Sequence, residues 1–385
     1  MNNKLVNRAI LDRLLFFIFR RFHHIILYLY DILLYYPSNF IRFRPVIKKR
    51  ISIKDIAKQL NISITTVSFV INGKAREKNI SESLTKKVLD LVAELNYHPN
   101  ALATSLRTGK TKIIGFLVDD ISEPFFAGIA RRIDEIASSL GYKILFSSTR
   151  NDTEKAIELL HIFKDRHVDG YIMALPEGLE EEVKKLIQTD APVVLFDRYV
   201  QDVKTDYVII DNQNSTYNAI EHLIKNDYKN IGFVTIDTVQ QQMVDRLAGY
   251  EKAVEKYNLP AIVKKINYVN SAESIKEMID FFKAEKQLDA VLFAANYICL
   301  DGLRTFRKLG IQIHQDIAVV SFDDFEILEF CEPPVTAIAQ PLEAIAENIM
   351  KILLKKLKKG SKSAEKITQV SLPTILNVRG SSAKK

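Results

Sequence analysis

Cysteine is scarce in this 385-residue chain: Cys299 and Cys331 are the only two. They stand far apart, with neither metal-ligand spacing nor the makings of a disulfide framework, which fits a reducing cytoplasmic compartment and two buried structural thiols. Phosphate-cradling glycine patterns are absent, as are the dinucleotide fingerprint, the H-E-x-x-H metal helix and the nucleophile elbow, and the seven histidines are scattered. Catalysis, a cofactor and a metal are therefore not expected. No segment repeats at a fixed period. A secretory signal is also missing, because no unbroken apolar core with a small-residue cleavage site occurs near Met1. Nor is there a spanning helix: LLFFIFRRFHHIILYLYDILLYY is rich in apolar residues, but Arg20, Arg21, His23, His24 and Asp31 break it. A bilayer crossing needs ~20 consecutive apolar residues, and a central arginine pair costs several kcal/mol there.

What is present is a polarised charge distribution. The formal net charge of +7 suggests a nucleic-acid partner, but residues 1–50 hold ten Lys/Arg against two Asp/Glu. Residues 51–110 hold nine basic and five acidic groups, and the remainder holds 35 against 40. A basic head ahead of an acidic body suits a phosphate-binding module carried by a soluble sensor.

Ser52–Gly73, SIKDIAKQLNISITTVSFVING, is the most informative stretch. Ile53, Ile56, Ala57 and Leu60 fall on one helical face, and Ser52 with Asp55 forms a capping pattern. Ser63 is placed to cap a second helix carrying Val67, Val70 and Ile71, and Asn72-Gly73 supplies a stop. Ser81 opens a third amphipathic helix that carries Leu84, Val88, Leu91, Val92 and Leu95 and ends before Pro99. Two short helices joined by a tight turn form a helix-turn-helix, whose second helix offers its N-terminal side chains to base edges.

These residues resemble the LacI (lactose repressor) family of bacterial transcription regulators. The matching positions are Ile53-Lys54-Asp55-Ile56-Ala57, Ser63, Thr66-Val67-Ser68, Val70-Ile71-Asn72-Gly73, Tyr97, Pro99-Asn100, Ala103 and Ser105-Leu106-Arg107. The resemblance runs from residue 51 to about 380 and implies three parts: an all-α helix-turn-helix head at 51–98, a hinge helix and linker at 99–110, and a two-lobed α/β body of periplasmic-binding-protein type at 111–385. By family analogy the N-lobe is expected at about 111–210 with a return at 325–340, and the C-lobe at about 211–324 and 341–380. Residues 1–50 are an atypical extension. Relatives begin a few residues before the I-K-D pattern, so the extension is read as translated leader, with Val46 as the start.

By the same resemblance, Ile64, Thr65 and Phe69 hold the base-reading positions, while Thr66 and Ser68 suit phosphate oxygens. Relatives usually carry arginine where Phe69 stands. A phenylalanine cannot fork onto guanine; it either meets a thymine methyl or packs against the third helix. The basic loop Lys74–Asn79 is expected to face the DNA backbone. Asn100, Ala103 and Leu106 belong to the hinge helix implied by the family, with Leu106 as a minor-groove wedge.

From Lys112 onward, apolar runs at 113, 143, 170, 193, 207, 231, 290 and 317 alternate with amphipathic segments, which predicts parallel sheets with right-handed crossovers. Ligand is then expected in the cleft at the carboxyl ends of strands. Phe125, Phe126, Arg198, Arg246, Asn296 and Asp323 are the expected effector residues, with Asp119 and Gln340 as weaker candidates. Asp119, Arg198 and Gln340 carry a structural reading beside the effector one. The resemblance implies a homodimer that binds a double-stranded, near-palindromic DNA operator and answers to a small sugar-like effector, without stable membrane association. No heptad run follows Ser381, which predicts a dimer rather than a tethered tetramer. The alternative is a membrane-tethered extracytoplasmic solute-binding receptor anchored by residues 14–36; the helix-turn-helix block counts against it.

Overall fold

A computed structural model describes residues 51–98, 105, 108–200, 203–359 and 367–384. The extension at 1–50 and the hinge positions Asn100, Ala103 and Leu106 lie outside the described residues. The chain divides into two units, Met1–Pro99 and Asn100–Lys385.

In the first unit, α1 (Ile53–Gln59), α2 (Ile64–Ile71) and α3 (Glu82–Glu94) surround a small core. Ile56, Val67 and Val88, one from each helix, are wholly buried at its centre. The capping pattern forms as expected. Asp55 N donates to Ser52 Oγ at 3.4 Å while Ser52 N donates to Asp55 Oδ2 at 2.8 Å, so the two side chains cap the helix start reciprocally. Ser63 caps α2 through Thr66 N at 3.0 Å, and Ser81 caps α3 through Leu84 N at 3.3 Å. Each such cap is worth about 1 kcal/mol. Gly73 ends α2 at φ +69°, a left-handed conformation in which a side chain would be strained.

The second unit holds two six-stranded sheets. The first contains β1 (Ile113–Val118), β2 (Lys143–Ser148), β3 (Gly170–Met173), β4 (Val193–Phe196), β5 (Asp206–Ile210) and a late strand, β11 (Gln369–Leu372). Their order is β11-β5-β4-β3-β1-β2. The second contains β6 (Ile231–Ile236), β7 (Ile262–Ile266), β8 (Ala290–Phe293), β9 (Ala318–Phe322), β10 (Thr336–Ala339) and β12 (Ile375–Asn377), ordered β12-β10-β9-β8-β6-β7. The two orders correspond position by position. Every pairing is parallel except β10 with β12. Helices connect the parallel strands: α4 (Pro124–Ser139), α5 (Thr153–Asp165) and α6 (Glu180–Gln188) in the first lobe; α7 (Asn212–Lys225), α8 (Gln241–Lys256), α9 (Ser271–Ala284) and α10 (Asn296–Leu309) in the second.

The C-terminal return differs from expectation. The resemblance places residues 325–340 in the N-lobe and 341–380 in the C-lobe, yet β10 pairs with β9 in the second sheet, while α11 (Leu342–Lys359) and β11 belong to the first. Ile345, Ile349 and Leu353 form the buried stripe of α11 at a spacing of four. Leu353 reaches Gly170 of β3, where a Cβ would come within 2.9 Å of it, so the stripe has its apolar partner in the first lobe. Only β12 then goes back to the second sheet. The chain thus crosses between lobes three times, near Asp211, at Gln340-Pro341 and between Leu372 and Ile375.

Candidate functional site

In the head, the N-terminal turn of α2 presents Ile64, 43 % exposed, and Thr65 outward. Thr66 and Ser68 are half-buried and already bonded. The Thr66 hydroxyl pairs with Ser63 Oγ at 2.8 Å, and Ser68 Oγ accepts from the Asn72 amide at 3.3 Å. Phe69 is not among the side chains that pack on the head core. Its ring lies 5.4 Å from Lys78 Nζ of the basic loop, so the aromatic and a loop cation share one surface.

In the body, β-strand carboxyl ends converge on a cleft between the lobes. It has a volume of about 90 Å³ and brings together Phe125, Phe126, Arg246, Asn296 and Asp323, with Asp119 and Gln340 beside them. Arg198 stands outside this group and, with Glu177 and Gln240, lines an adjoining interlobe chamber of about 510 Å³. That guanidinium is 7 % exposed, pairs with Asp119, and sits 3.7 Å from Asp197.

Arg246 projects from α8. Nε donates to Asn212 Oδ1 at 2.9 Å, Nη1 donates to the Ala294 carbonyl at 2.7 Å, and the guanidinium lies 3.6 Å from the Phe322 ring centroid. Nη2 makes no hydrogen bond among the described residues. The Arg-Leu-Ala-Gly-Tyr run explains the placement. A Cβ on Gly249 would stand 2.2 Å from the Gln213 carbonyl oxygen, so glycine lets α8 press against α7, where Asn212 is held. The Tyr250 hydroxyl bonds Ile231 O at 2.8 Å and accepts from Ile262 N at 2.7 Å, tying α8 to β6 and β7.

Asp197 and Asp323 follow β4 and β9, which hold equivalent positions in the two sheets. Both adopt left-handed backbone, φ +67° and +71°, a conformation aspartate tolerates better than most residues. Asp323 Oδ1 accepts from Gln340 Nε2 at 2.6 Å. Burial drives the Asp197 carboxyl up to about 6; Arg198 and Arg246 oppose the rise, and Asp119 and Asp323 add to it. Burial likewise pushes the Cys299 thiol of α10 up to about 12.

Three hydrogen bonds span the cleft from first lobe to second. Asn296 Nδ2 donates to Glu123 Oε2 at 2.8 Å, Gln240 Nε2 to Asn151 Oδ1 at 2.9 Å, and the Thr238 hydroxyl to Glu177 Oε1 at 2.8 Å. Sequence reasoning missed Glu123, Asp197, Gln240, Gln242, Met243, Tyr297 and Asn212. Glu123 and Asp197 had a usable signal, since Glu123 opens the Glu-Pro-Phe-Phe run that carries Phe125 and Asp197 precedes Arg198 at a strand end. Among the described residues no cluster of three metal-ligating side chains occurs, and no helix is long and apolar enough to cross a membrane.

A helix-turn-helix unit ahead of a two-lobed α/β body with a polar interlobe cleft defines a ligand-responsive DNA-binding regulator. The chain belongs to the lacI family of bacterial regulatory proteins: residues 52–100 match that family's model, and residues 220–382 match the periplasmic binding protein-like domain. It is 32 % identical over 313 residues to the HTH-type transcriptional regulator RegA of Clostridium saccharobutylicum, covering 80 % of this chain and 93 % of the relative. Among solved structures, the Lac repressor dimer bound to operator and the anti-inducer ONPF superposes with a TM-score of 0.76 at 22 % identity, covering 87 % of this chain and all of that one. A periplasmic binding protein/LacI transcriptional regulator from Alkaliphilus metalliredigens QYMF, complexed with D-xylulofuranose, gives 0.63 at 25 % identity, covering 70 % and 98 %. Members of the family are transcription regulators, and the receptor alternative is not favoured.

Proposed function

We propose that this chain is a cytoplasmic, homodimeric repressor that binds a near-palindromic operator and changes its grip when a sugar or sugar derivative occupies the interlobe cleft. Ile64, Thr65 and Phe69 would read bases, Thr66 and Ser68 would meet phosphates, and Asn100, Ala103 and Leu106 would form the hinge contact in the minor groove. Phe125, Phe126, Arg246, Asn296 and Asp323 would hold the effector, with Arg198 orienting Asp119 from behind. No catalytic step is assigned.

The observation that carries this reading is Arg246. A buried guanidinium, fixed on Phe322 and Asn212, keeps one nitrogen unspent in a cleft on the same chain as a DNA-reading head. The sugar complex of the Alkaliphilus relative and the operator complex of the Lac repressor support the two halves. The chamber around Arg246 is about 90 Å³, and it shares lining residues with interlobe chambers of about 120 and 510 Å³, so the cleft as a whole reaches the ~300 Å³ at which ligand pockets usually begin. A ligand seated against Arg246 outgrows that one chamber, so the lobes would part there and loosen the bridging hydrogen bonds. A ligand that favours one lobe arrangement by a few kcal/mol would shift the operator-competent population.

A mobility-shift titration of the full chain on its own upstream DNA tests the proposal. A specific shift that weakens steeply with salt is expected, because phosphate contacts release counterions; no salt-sensitive specific shift would reject it.

A further inference from the structure

The cleft's charges and unspent hydrogen-bonding atoms narrow the chemistry of what it accepts. Asp119, Glu123, Asp197 and Asp323 line it, while Arg246 is the lining cation. Arg198, beside it, pairs with Asp119 through Nη2 and lies next to Asp197, so its charge is offset within the protein, although its Nε and Nη1 have no hydrogen-bond partner among the described residues. A phosphate or carboxylate entering here would meet an excess of like charge, and between partly buried groups such repulsion is screened less than at the open surface.

The hydrogen-bonding atoms agree. Gln242 is 7 % exposed, and its Oε1 is buried with no partner among the described residues. Glu123 and Asp323 each accept one bond, through Oε2 and Oδ1, leaving the second oxygen without one among the described residues. These are acceptors, and they require a ligand that donates. Arg246 has already given Nε to Asn212 and one Nη1 hydrogen to Ala294 O. The Nε edge that would fork onto a carboxylate or phosphate is therefore broken, and the Nη1–Nη2 edge is weakened because Nη1 also faces Met243 Sδ at 3.8 Å, leaving Nη2 as the free donor.

We infer that the effector is an uncharged, hydroxyl-rich molecule, of the class of unphosphorylated aldoses, ketoses and their glycosides, and that the cleft rejects sugar phosphates and sugar acids. This rests on the reading of the cleft as the effector site. Ligand hydroxyls would donate to Gln242, Glu123 and Asp323 while one ligand oxygen accepts from Arg246.

Thermal melting of the full chain tests this with D-xylose, D-glucose, D-fructose and cellobiose against D-glucose 6-phosphate, D-fructose 6-phosphate, D-gluconate and D-galacturonate. A neutral sugar is expected to raise Tm, with every charged probe at least about tenfold weaker by titration. An Arg246-dependent shift from a phosphate or acid, or no shift from any neutral sugar, would overturn the inference. If a neutral sugar still shifts Arg246→Met as it shifts the wild type, the assignment of the effector to this cleft falls instead. Glu123→Gln keeps an acceptor for Asn296 and removes one charge; it should reduce the discrimination against glucose 6-phosphate by about tenfold. Unchanged discrimination would refute its electrostatic origin.

Discussion

Replacing Arg246 with methionine keeps the stem and removes the guanidinium. The lost bonds to Asn212 and the Ala294 carbonyl, at 2.9 and 2.7 Å, are worth roughly 1.5–3 kcal/mol each as bonds from a charged donor. The face-on contact with Phe322 at 3.6 Å adds about 2 kcal/mol in a desolvated setting. Against this stands the relief of a buried cation's desolvation, several kcal/mol in real proteins. The difference leaves a net destabilisation of about 1–3 kcal/mol. At ~2–4 °C per kcal/mol in a body of this size, Tm falls by a few degrees and the fold survives. The ligand loses a charge-assisted hydrogen bond, about 2 kcal/mol, or roughly a 30-fold weaker affinity. The assay is operator affinity with and without the sugar that raises wild-type Tm, held at a concentration that just saturates the wild type. The ratio of the two affinities should collapse toward one in Arg246→Met. A variant that folds and responds as the wild type does would refute the placement of the effector against this side chain.

Two further perturbations follow from packing and charge. Gly249→Ala would bring a Cβ to 2.2 Å from the Gln213 carbonyl oxygen, so α7 and α8 must separate; a loss of about 1–3 kcal/mol in urea unfolding is expected, and an unchanged midpoint would contradict that packing. For Asp197, burial raises the carboxyl to about 6, so the folded chain binds its proton more tightly than the unfolded chain does. Its contribution is present in full below about pH 4 and is lost as pH rises through about 6. Asp197→Asn should therefore gain stability relative to the wild type across that window, on the order of 3 kcal/mol, and a difference that stays flat with pH would remove the cause.

Legibility in the sequence tracked how much of each signal was local. The head was readable because Ser52, Ser63 and Ser81 cap their own helices and the apolar spacing lies within each helix. All eight long apolar runs of the body became strands. The four strands outside those runs are short or edge-bound. β7 carries Lys264 and Lys265 at a sheet edge, β10 is a small Thr-Ala-Ile-Ala run after two prolines, and β11 and β12 are short outer strands of alternating burial. The lobe assignment of α11 was misjudged because its stripe of Ile345, Ile349 and Leu353 shows that it packs on something, not on what. In the cleft, Asn296 and Asp323 at strand ends and Arg246 within its Arg-Leu-Ala-Gly-Tyr run on α8 could be singled out. Glu123 and Gln240 meet partners 173 and 89 residues away, a pairing that only the closed lobes reveal.

The central claim is that the cleft and the DNA-reading head are thermodynamically linked. Its most direct test is the operator affinity of the full chain, titrated against a neutral sugar that raises Tm. Linkage predicts that saturation changes operator affinity by about tenfold or more, the usual scale of such coupling, and that operator DNA changes the sugar's affinity by the same factor. An operator affinity that stays constant while the sugar saturates the protein would contradict it.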